Sequence, residues 1–414
     1  MMNNVGFLGL GKLGLPCALA VSSKGFKVYG TDLDLNVKSY IENKKIPYRE
    51  EHVDEYLQKY EVIFTDLDDM VDNCDIIFVP IQTPHDYAFE GCTRIPKERK
   101  DFDYEWLKSG IKDLSDSIKL QTKEKIVIII STVLPGTIER EIFPIISNND
   151  KFKLGYNPFF IAMGTTINDF LNPEFVLFGT NNKEIIEPMK DFYGKLHNKP
   201  FYNTDIINAE LIKVSYNTFI GMKIVYANTL MEICHKNGGN VDEVIGGLKL
   251  ATDRIISTKY LSGGMGDGGG CHPRDNIAMS WLAKKLNLSH NFFEDIMKAR
   301  EDQTEFLMNL ILEHEGPYYI LGKTFKEETN LVIGSPAILL KNILSENKIH
   351  VTQFDPYLDN IDDYNFEKGT YFVATRHDSF KNFTYPKGST VIDVWRYLNF
   401  DENSGINHIK VGKK

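Results

Sequence analysis

The sequence predicts an α/β protein in which two doubly wound parallel-sheet regions are joined by a central helical region with a long helix. Three observations carry this. Short apolar runs alternate with helical stretches up to about Asn203. Helical periodicity then takes over from Ile206 and holds, with one glycine-dense interruption, to Glu313. Strand–helix alternation returns at Tyr318. Alternation of this kind indicates βαβ units and parallel sheets. A chain of 414 residues also exceeds what one core usually serves. The expected division is 1–203, 204–313 and 314–414.

Taken in order, Val5–Leu10 reads as a buried strand, followed by a glycine-rich turn and an apolar helix from about Leu13 to Lys24. Lys27–Thr31, Ile76–Pro80 and Lys125–Ser131 are further strands. Ile206 to about His235 contains no proline and one glycine, with apolar residues at helical spacing, and reads as one long amphipathic helix. Val241–Lys249 continues in helix, Leu261–Gly270 is a glycine-dense loop, and Asn276–Glu313 is helical again. In the last part, Tyr318–Leu321, His350–Phe354, Tyr371–Thr375 and Thr390–Val394 read as strands and Pro336–Glu346 as a helix. The segment Tyr87–Phe102 is rich in charge, breaks the pattern and reads as a surface insertion. No short-period repeat or low-complexity tract is present.

Composition narrows the function. The chain is 42% hydrophobic and 25% charged, with a net charge of −10, an ordinary globular balance. Nucleic-acid binding calls for clustered basic residues, so it is not expected. A phosphorylated small molecule remains compatible, because a helix N-terminus and a few local cations can hold a diphosphate. The five cysteines are odd in number, widely spaced and free of CxxC. Neither a disulfide framework nor a zinc site is suggested, and a reducing compartment fits best. No secretory leader or membrane-length apolar run is read, so the cytoplasm is the expected location, without membrane partners.

Gly9-Leu10-Gly11-Lys12-Leu13-Gly14 is a GxGxxG that follows a strand and opens a helix at the start of a βαβ unit. Gly9 allows a tight turn, Gly11 lets the backbone approach a pyrophosphate, and Gly14 permits close helix–strand packing. Asp32, at the end of the second strand, can accept hydrogen bonds from ribose hydroxyls and repels a 2′-phosphate, which favours NAD over NADP. The pattern is that of a Rossmann-type NAD site.

Lys213 and Asn217 lie four residues apart on an otherwise apolar helix face. A buried pair of this kind needs a reason; a solvent-facing lysine beside an ordinary asparagine is the other reading. The loop Gly266-Asp267-Gly268-Gly269-Gly270-Cys271 precedes a helix that starts near Pro273. Cys271 is then either a thiolate nucleophile favoured by the helix N-terminus or an inert cysteine in a turn. Local sequence leaves both open.

Together these segments resemble the UDP-glucose/GDP-mannose dehydrogenases, which oxidise a nucleotide-sugar alcohol to a carboxylate with two NAD. The motifs follow the family order along nearly the whole chain: the glycine turn with Gly14-Leu15-Pro16, Thr83-Pro84, Ser131-Thr132-Val133, Asn157-Pro158 through Gly164 with Asp169 and Asn172-Pro173, Glu210-Leu211-Ile212-Lys213 with Asn217, Gly268-Gly269-Gly270-Cys271 with Pro273 and Asp275, and Leu321-Gly322, Phe325-Lys326, Ser335-Pro336 and Asp355-Pro356. The resemblance implies that Cys271 forms a thiohemiacetal and then a thioester. Lys213 and Asn217 would stabilise the oxyanion, Asp275 would position water or the lysine near the thiolate, and Thr132 would hold the catalytic water on the nicotinamide side. It further implies that Lys12, Leu13 and Thr83 join the glycines and Asp32 at NAD. Phe160, Ile161, Gly268, Phe325 and Lys326 would contact the nucleotide sugar, with Lys326 on its diphosphate. Arg254 would reach the substrate from the neighbouring subunit of a homodimer.

Several positions depart from the family pattern. Phe159 stands where the family has a glutamate that assists thioester hydrolysis, and Met163 occupies a second acidic position. Ile333 replaces an arginine two residues before Ser335. Asp393-Val394-Trp395-Arg396 carries its arginine one place late, and His272 follows the cysteine in place of an aromatic or aliphatic residue. The expected activity is oxidation of an NDP-hexose at C6, UDP-glucose being the family default. A dehydrogenase that stops early or diverts its thioester is the alternative. A catalytically impaired module binding NAD and a nucleotide sugar is a third reading, against which the retained Cys271, Lys213, Asn217 and Asp275 argue.

Overall fold

The computed structural model describes residues 4–252, 259–260, 262–285, 287 and 291–413. The chain forms two compact units, Met1–Pro84 with Phe102–Ser215, and His85–Asp101 with Tyr216–Lys414.

The first unit is built on β1 (Asn4–Leu8), β2 (Lys27–Thr31), β3 (Ile63–Phe64), β4 (Ile76–Val79), β5 (Lys125–Ile129), β6 (Phe152–Tyr156), β7 (Val176–Gly179) and β8 (Phe201–Thr204). Their order is β3-β2-β1-β4-β5-β6-β7-β8, parallel except for the β6–β7 pairing at Tyr156 and Gly179. Every residue of β4 and β5 is buried, because helices cover both faces of a parallel sheet. Lys125 is buried with them; its Nζ donates to the Cys74 carbonyl at 2.8 Å, and burial lowers its pKa. The crossing from β1 to β4 places the glycine turn where strand order reverses, outside the carboxyl ends of the strands.

In the second unit, the helices Val241–Lys249, His272–Lys285 and Phe292–Leu312 accompany the C-terminal part of the long helix Ile206–Asn237. A second sheet follows: β9 (Tyr318–Leu321), β10 (Val351–Phe354), β11 (Thr370–Val373), β12 (Thr390–Asp393) and β13 (Asn407–Lys410), all parallel in the order β10-β9-β11-β12-β13. One apolar core joins helices to sheet, with Met231, Leu307 and Ile311 packed in the same cluster as Ile320, Phe372 and Ile392. The sheet's other face is aromatic, and Tyr319 and Tyr371 stack at 4.5 Å between ring centroids.

The charged stretch around Tyr87–Phe102 is no loose surface insertion. Residues 85–101 form a strap within the second unit, held because its charges meet opposite charges there. Arg94 pairs with Glu305 and, at 2.8 Å, with Glu346, and Arg99 pairs with Glu294. The Cys92 carbonyl accepts from Asn342 at 2.6 Å.

Candidate active site

The three glycines of the turn answer three separate demands. Gly9 has a φ of +113°, and its N–H donates to the Thr31 carbonyl at 2.9 Å. A Cβ on Gly14 would lie 2.1 Å from the Gly9 oxygen, whereas one on Gly11 would meet nothing within 4 Å. Gly14 thus serves close packing, and Gly11 leaves open space for a pyrophosphate beside the helix Gly14–Ser22. The Asp32 carboxylate accepts from the Leu10 amide at 2.6 Å and the Asp34 amide at 2.8 Å, which fixes it at the end of β2. Lys12 is exposed, its Nζ 5.8 Å from the Tyr48 ring, and Leu13 packs against the core. Thr83 donates to the Thr132 carbonyl at 2.7 Å, tying together the segments that follow β4 and β5. These residues fit a dinucleotide.

Lys213, also in the first unit, is 5% exposed. Its Nζ donates to the Phe159 carbonyl at 2.9 Å and lies 5.0 Å over the Phe160 ring. The half-buried Phe159 side chain packs against the core, 5.0 Å from the Phe170 ring centroid, and Ile161 packs on the same core. Two carboxylates hold the backbone of this segment. Asp169 accepts from the Ala162 amide at 3.0 Å, and buried Glu50 accepts from the Gly164 and Thr166 amides, both at 2.7 Å.

In the second unit, Cys271 is half-buried while the other four cysteines are buried. It precedes the helix His272–Lys285, and its carbonyl accepts from the Asp275 amide at 2.8 Å. Asp275 is fully buried and accepts from Asn217 Nδ2 at 2.6 Å and from Arg274 Nε at 3.1 Å. His85 is buried too; burial first, and then the Arg274 charge, push its pKa down to about 4, so its imidazole is neutral. A Cβ on Gly268 would approach Phe325 Cβ to 3.0 Å, and Lys326 Nζ lies 5.6 Å over the Phe325 ring. The fold therefore groups Thr83 with Thr132, Lys213 with Phe160, Asn217 and Asp275 with Cys271, and Gly268 with Phe325 and Lys326, each group within one unit. Arg254 lies outside the described residues.

Residues 3–197 match the UDP-glucose/GDP-mannose dehydrogenase family, NAD binding domain, and residues 207–301 match the central domain of the same family. The chain belongs to this family. It is an NAD-dependent nucleotide-sugar 6-dehydrogenase, with NAD as cofactor. The UDP-glucose 6-dehydrogenase of Rickettsia conorii is 27% identical over 446 aligned positions, covering 99% of this chain and 100% of the relative. The GDP-mannose 6-dehydrogenase of Pseudomonas aeruginosa is 25% identical, covering 85% and 80%. Among solved structures, the UDP-glucose dehydrogenase of Pyrobaculum islandicum superposes with a TM-score of 0.86 at 20% identity, covering 100% of this chain and 98% of that one. The UDP-D-ManNAc dehydrogenase of Pyrococcus horikoshii gives 0.82 at 22%, covering 99% of each. These two likenesses are of fold.

For two further residues of the dehydrogenase the structure supplies the role. Glu210, three residues before Lys213, is fully buried and accepts from the Gly136 amide at 2.6 Å and the Ile138 amide at 2.9 Å. Burial pushes its carboxyl up to about 7, and it anchors the turn beyond Thr132. An acidic residue on an apolar helix face was the available signal. Arg396, the displaced arginine, has a φ of +59°. It contacts Asp242 at 3.0 Å and donates to the Gly263 carbonyl at 2.7 Å, which anchors the start of the cysteine loop. Among the described residues, no helix is long and apolar enough to cross a membrane, and no group of histidine, cysteine or acidic side chains is arranged to hold a metal ion.

Proposed function

We propose that the enzyme oxidises the C6 alcohol of an NDP-hexose, of UDP-glucose type, to the uronate through a thiohemiacetal and a thioester on Cys271. The observation that carries this reading is the half-buried Cys271 at a helix N-terminus, one turn from the buried Asp275–Asn217 pair. The glycine turn and Asp32 would hold NAD, which would supply the hydride acceptor for each oxidation. The Cys271 sulfur adds to the C6 aldehyde, and Lys213 and Asn217 offer an ammonium and an amide N–H to the oxygen that gains charge. Asp275 holds the Asn217 amide in its donating orientation. Phe325 and Lys326 hold the nucleotide sugar, with Lys326 opposite its diphosphate. The segments 1–203, 204–313 and 314–414 act as cofactor, dimerisation and nucleotide-sugar parts. The enzyme works in the cytoplasm, supplying polysaccharide biosynthesis; its five free cysteines suit a reducing compartment.

The same reading makes thioester hydrolysis the slow step. The Phe159 ring packs against the core and can neither accept a proton nor orient water. General-base assistance contributes about 10²–10⁴-fold, and its loss affects hydrolysis far more than the oxidations. The test is NADH absorbance with a panel of nucleotide sugars, counting NADH per sugar. A rapid burst, a slow steady state, an acyl adduct on Cys271 by intact-protein mass spectrometry and acceleration by hydroxylamine are expected. A linear trace with no adduct would overturn this step. We also propose a homodimer in which Arg254 serves the neighbouring site. Arg254→Ala and Cys271→Ala, each inactive alone, then regain activity in mixed dimers; no recovery with subunit exchange verified counts against it.

A further inference from the structure

Arg300 has no part in the chemistry above, yet it is one of the largest fully buried side chains in the protein, 1% exposed on the helix Phe292–Leu312. Its guanidinium reaches three separate loops. Nε and Nη2 donate to the Asp267 carbonyl at 3.2 and 3.0 Å, Nη1 to the Gly91 carbonyl at 3.0 Å, and Nη2 to the Gly334 carbonyl at 3.3 Å. Nε also lies 2.7 Å from the buried Asp267 carboxylate, its counter-ion. The three loops are the strap, the cysteine loop and the segment that follows Phe325–Lys326.

The loops meet backbone to backbone. Gly91, Gly269 and Gly334 have φ values of +76°, +81° and +64°. A Cβ on Gly91 would lie 2.4 Å from Pro273 Cβ, two residues past Cys271, and one on Gly334 would lie 2.3 Å from the Gly269 oxygen. Gly91, Asp267 and Gly334 are all buried, so their carbonyls need a partner inside the protein. A buried donor fork must satisfy them, and arginine supplies five N–H donors in a rigid plane. A buried ion pair is a poor device for stability alone; its better use is to impose one arrangement on several backbones.

We infer that Arg300, with Asp267 as counter-ion, is a positioning residue that sets the cysteine loop, and through it the Cys271 sulfur, against the loop that carries Phe325 and Lys326. The inference rests on Cys271 being the reacting thiol. It concerns orientation, so its mark is the rate of the first, burst phase, in which the second NADH and the Cys271 thioester form, and not the affinity for NAD, whose turn lies in the other unit. A misplacement of about 1 Å costs about 10²-fold in rate.

The test compares Arg300→Gln, Arg300→Lys and Asp267→Asn in the full-length enzyme, with thermal melts to establish folding. Arg300→Gln is expected to slow the first phase by about 10²-fold with the KM for NAD within about twofold, and Arg300→Lys to recover about tenfold by restoring the charge without the fork. A folded Arg300→Gln enzyme whose first phase is within about threefold of the parent, or whose KM for NAD rises in parallel, overturns the inference. Should neither Arg300 variant fold, Asp267→Asn carries the same comparison: a drop of about tenfold supports it and an unchanged rate overturns it. Cys271→Ala in the same assay separates the levels. Its failure to form the second NADH beside indifferent Arg300 variants breaks this inference alone, whereas two NADH per sugar from Cys271→Ala breaks the reading beneath it.

Discussion

The glycine turn and the cysteine loop are both strings of glycines, one in each unit, but they are held in different ways. At the turn, order comes from the backbone itself: a positive φ at Gly9, a Cβ-free approach at Gly14, and one carboxylate accepting the Leu10 amide. At the cysteine loop, order comes from side chains: Arg300, from a helix distant in sequence, meets Asp267 of the loop itself, and Asn217 of the long helix meets the buried Asp275 just beyond it. The first device suits a ligand that lies across a surface and is held by N–H groups. The second suits a reacting atom that must be aimed, because buried polar groups tied to one another permit one arrangement.

This contrast predicts where damage will be graded and where it will be total. Removing the aimed atom is the largest break. Cys271→Ala should lower the overall oxidation on the order of 10⁴-fold or more, while the NAD affinity measured by fluorescence titration stays within about twofold because the turn is untouched. A Cys271→Ala enzyme that still turns over would put the chemistry elsewhere. At the turn the effect is smaller and steric. Gly14→Ala drives a methyl to within 2.1 Å of the Gly9 oxygen, and overpacking of this kind costs about 1–3 kcal/mol. A lower melting temperature and a KM for NAD raised about tenfold are expected, with the Cys271 burst phase retained at saturating NAD. Normal NAD binding in Gly14→Ala would show that the turn relaxes freely.

Asp32 gives a third, milder break. A carboxylate beside a 2′-phosphate is a like-charge contact worth several kcal/mol, so the parent should prefer NAD over NADP by about 10²-fold in kcat/KM. Asp32→Ser should reduce that ratio about tenfold, less than full reversal because no cation replaces the carboxylate. Equal use of the two cofactors by the parent would remove the selective role from Asp32.

The contrast also explains what could be read in advance. The turn was legible because backbone demands imprint glycine at fixed spacing, and β4 and β5 because strands buried on both faces are unbroken apolar runs. β6, β7 and β8 left weaker traces; β8, Phe201–Thr204, leaves its two middle residues exposed and carries no apolar run. Asn217 and Asp275 stand 58 positions apart, and their bond follows from no local pattern. Arg300, in the run Lys298-Ala299-Arg300-Glu301-Asp302, reads as a solvated helix face, yet its partners lie 33, 34 and 209 positions away. The strap misled for the same reason, since its arginines answer to Glu294, Glu305 and Glu346. Charge that looks solvated locally is informative only once the fold supplies the opposite charge.

Glu210 offers the smallest effect on turnover and the sharpest test of the contrast, because it is a buried charge serving the backbone-built unit. Burial raises its carboxyl to about 7, against a gain from the Ile138 and Gly136 amides that favours the ionised form. The folded pKa therefore exceeds the unfolded one, and the native state binds the proton more tightly. By linkage, this group's contribution is fully present below the unfolded carboxylate range of about 4.3 and is lost as pH rises through about 7. The loss is on the order of 1–3 kcal/mol, since each tenfold gain in proton affinity is worth about 1.4 kcal/mol. Glu210→Gln cannot ionise, but its single carbonyl oxygen replaces two carboxylate oxygens and can serve only one of the two N–H donors well, which costs about 1 kcal/mol. The variant should thus be less stable than the parent at pH 5, with the gap closing by pH 8, while activity at a single pH changes little. Chemical denaturation at several pH values reads this directly. If the parent and Glu210→Gln curves run parallel from pH 5 to 8, Glu210 titrates alike in both states, and the turn beyond Thr132 is held by backbone geometry alone.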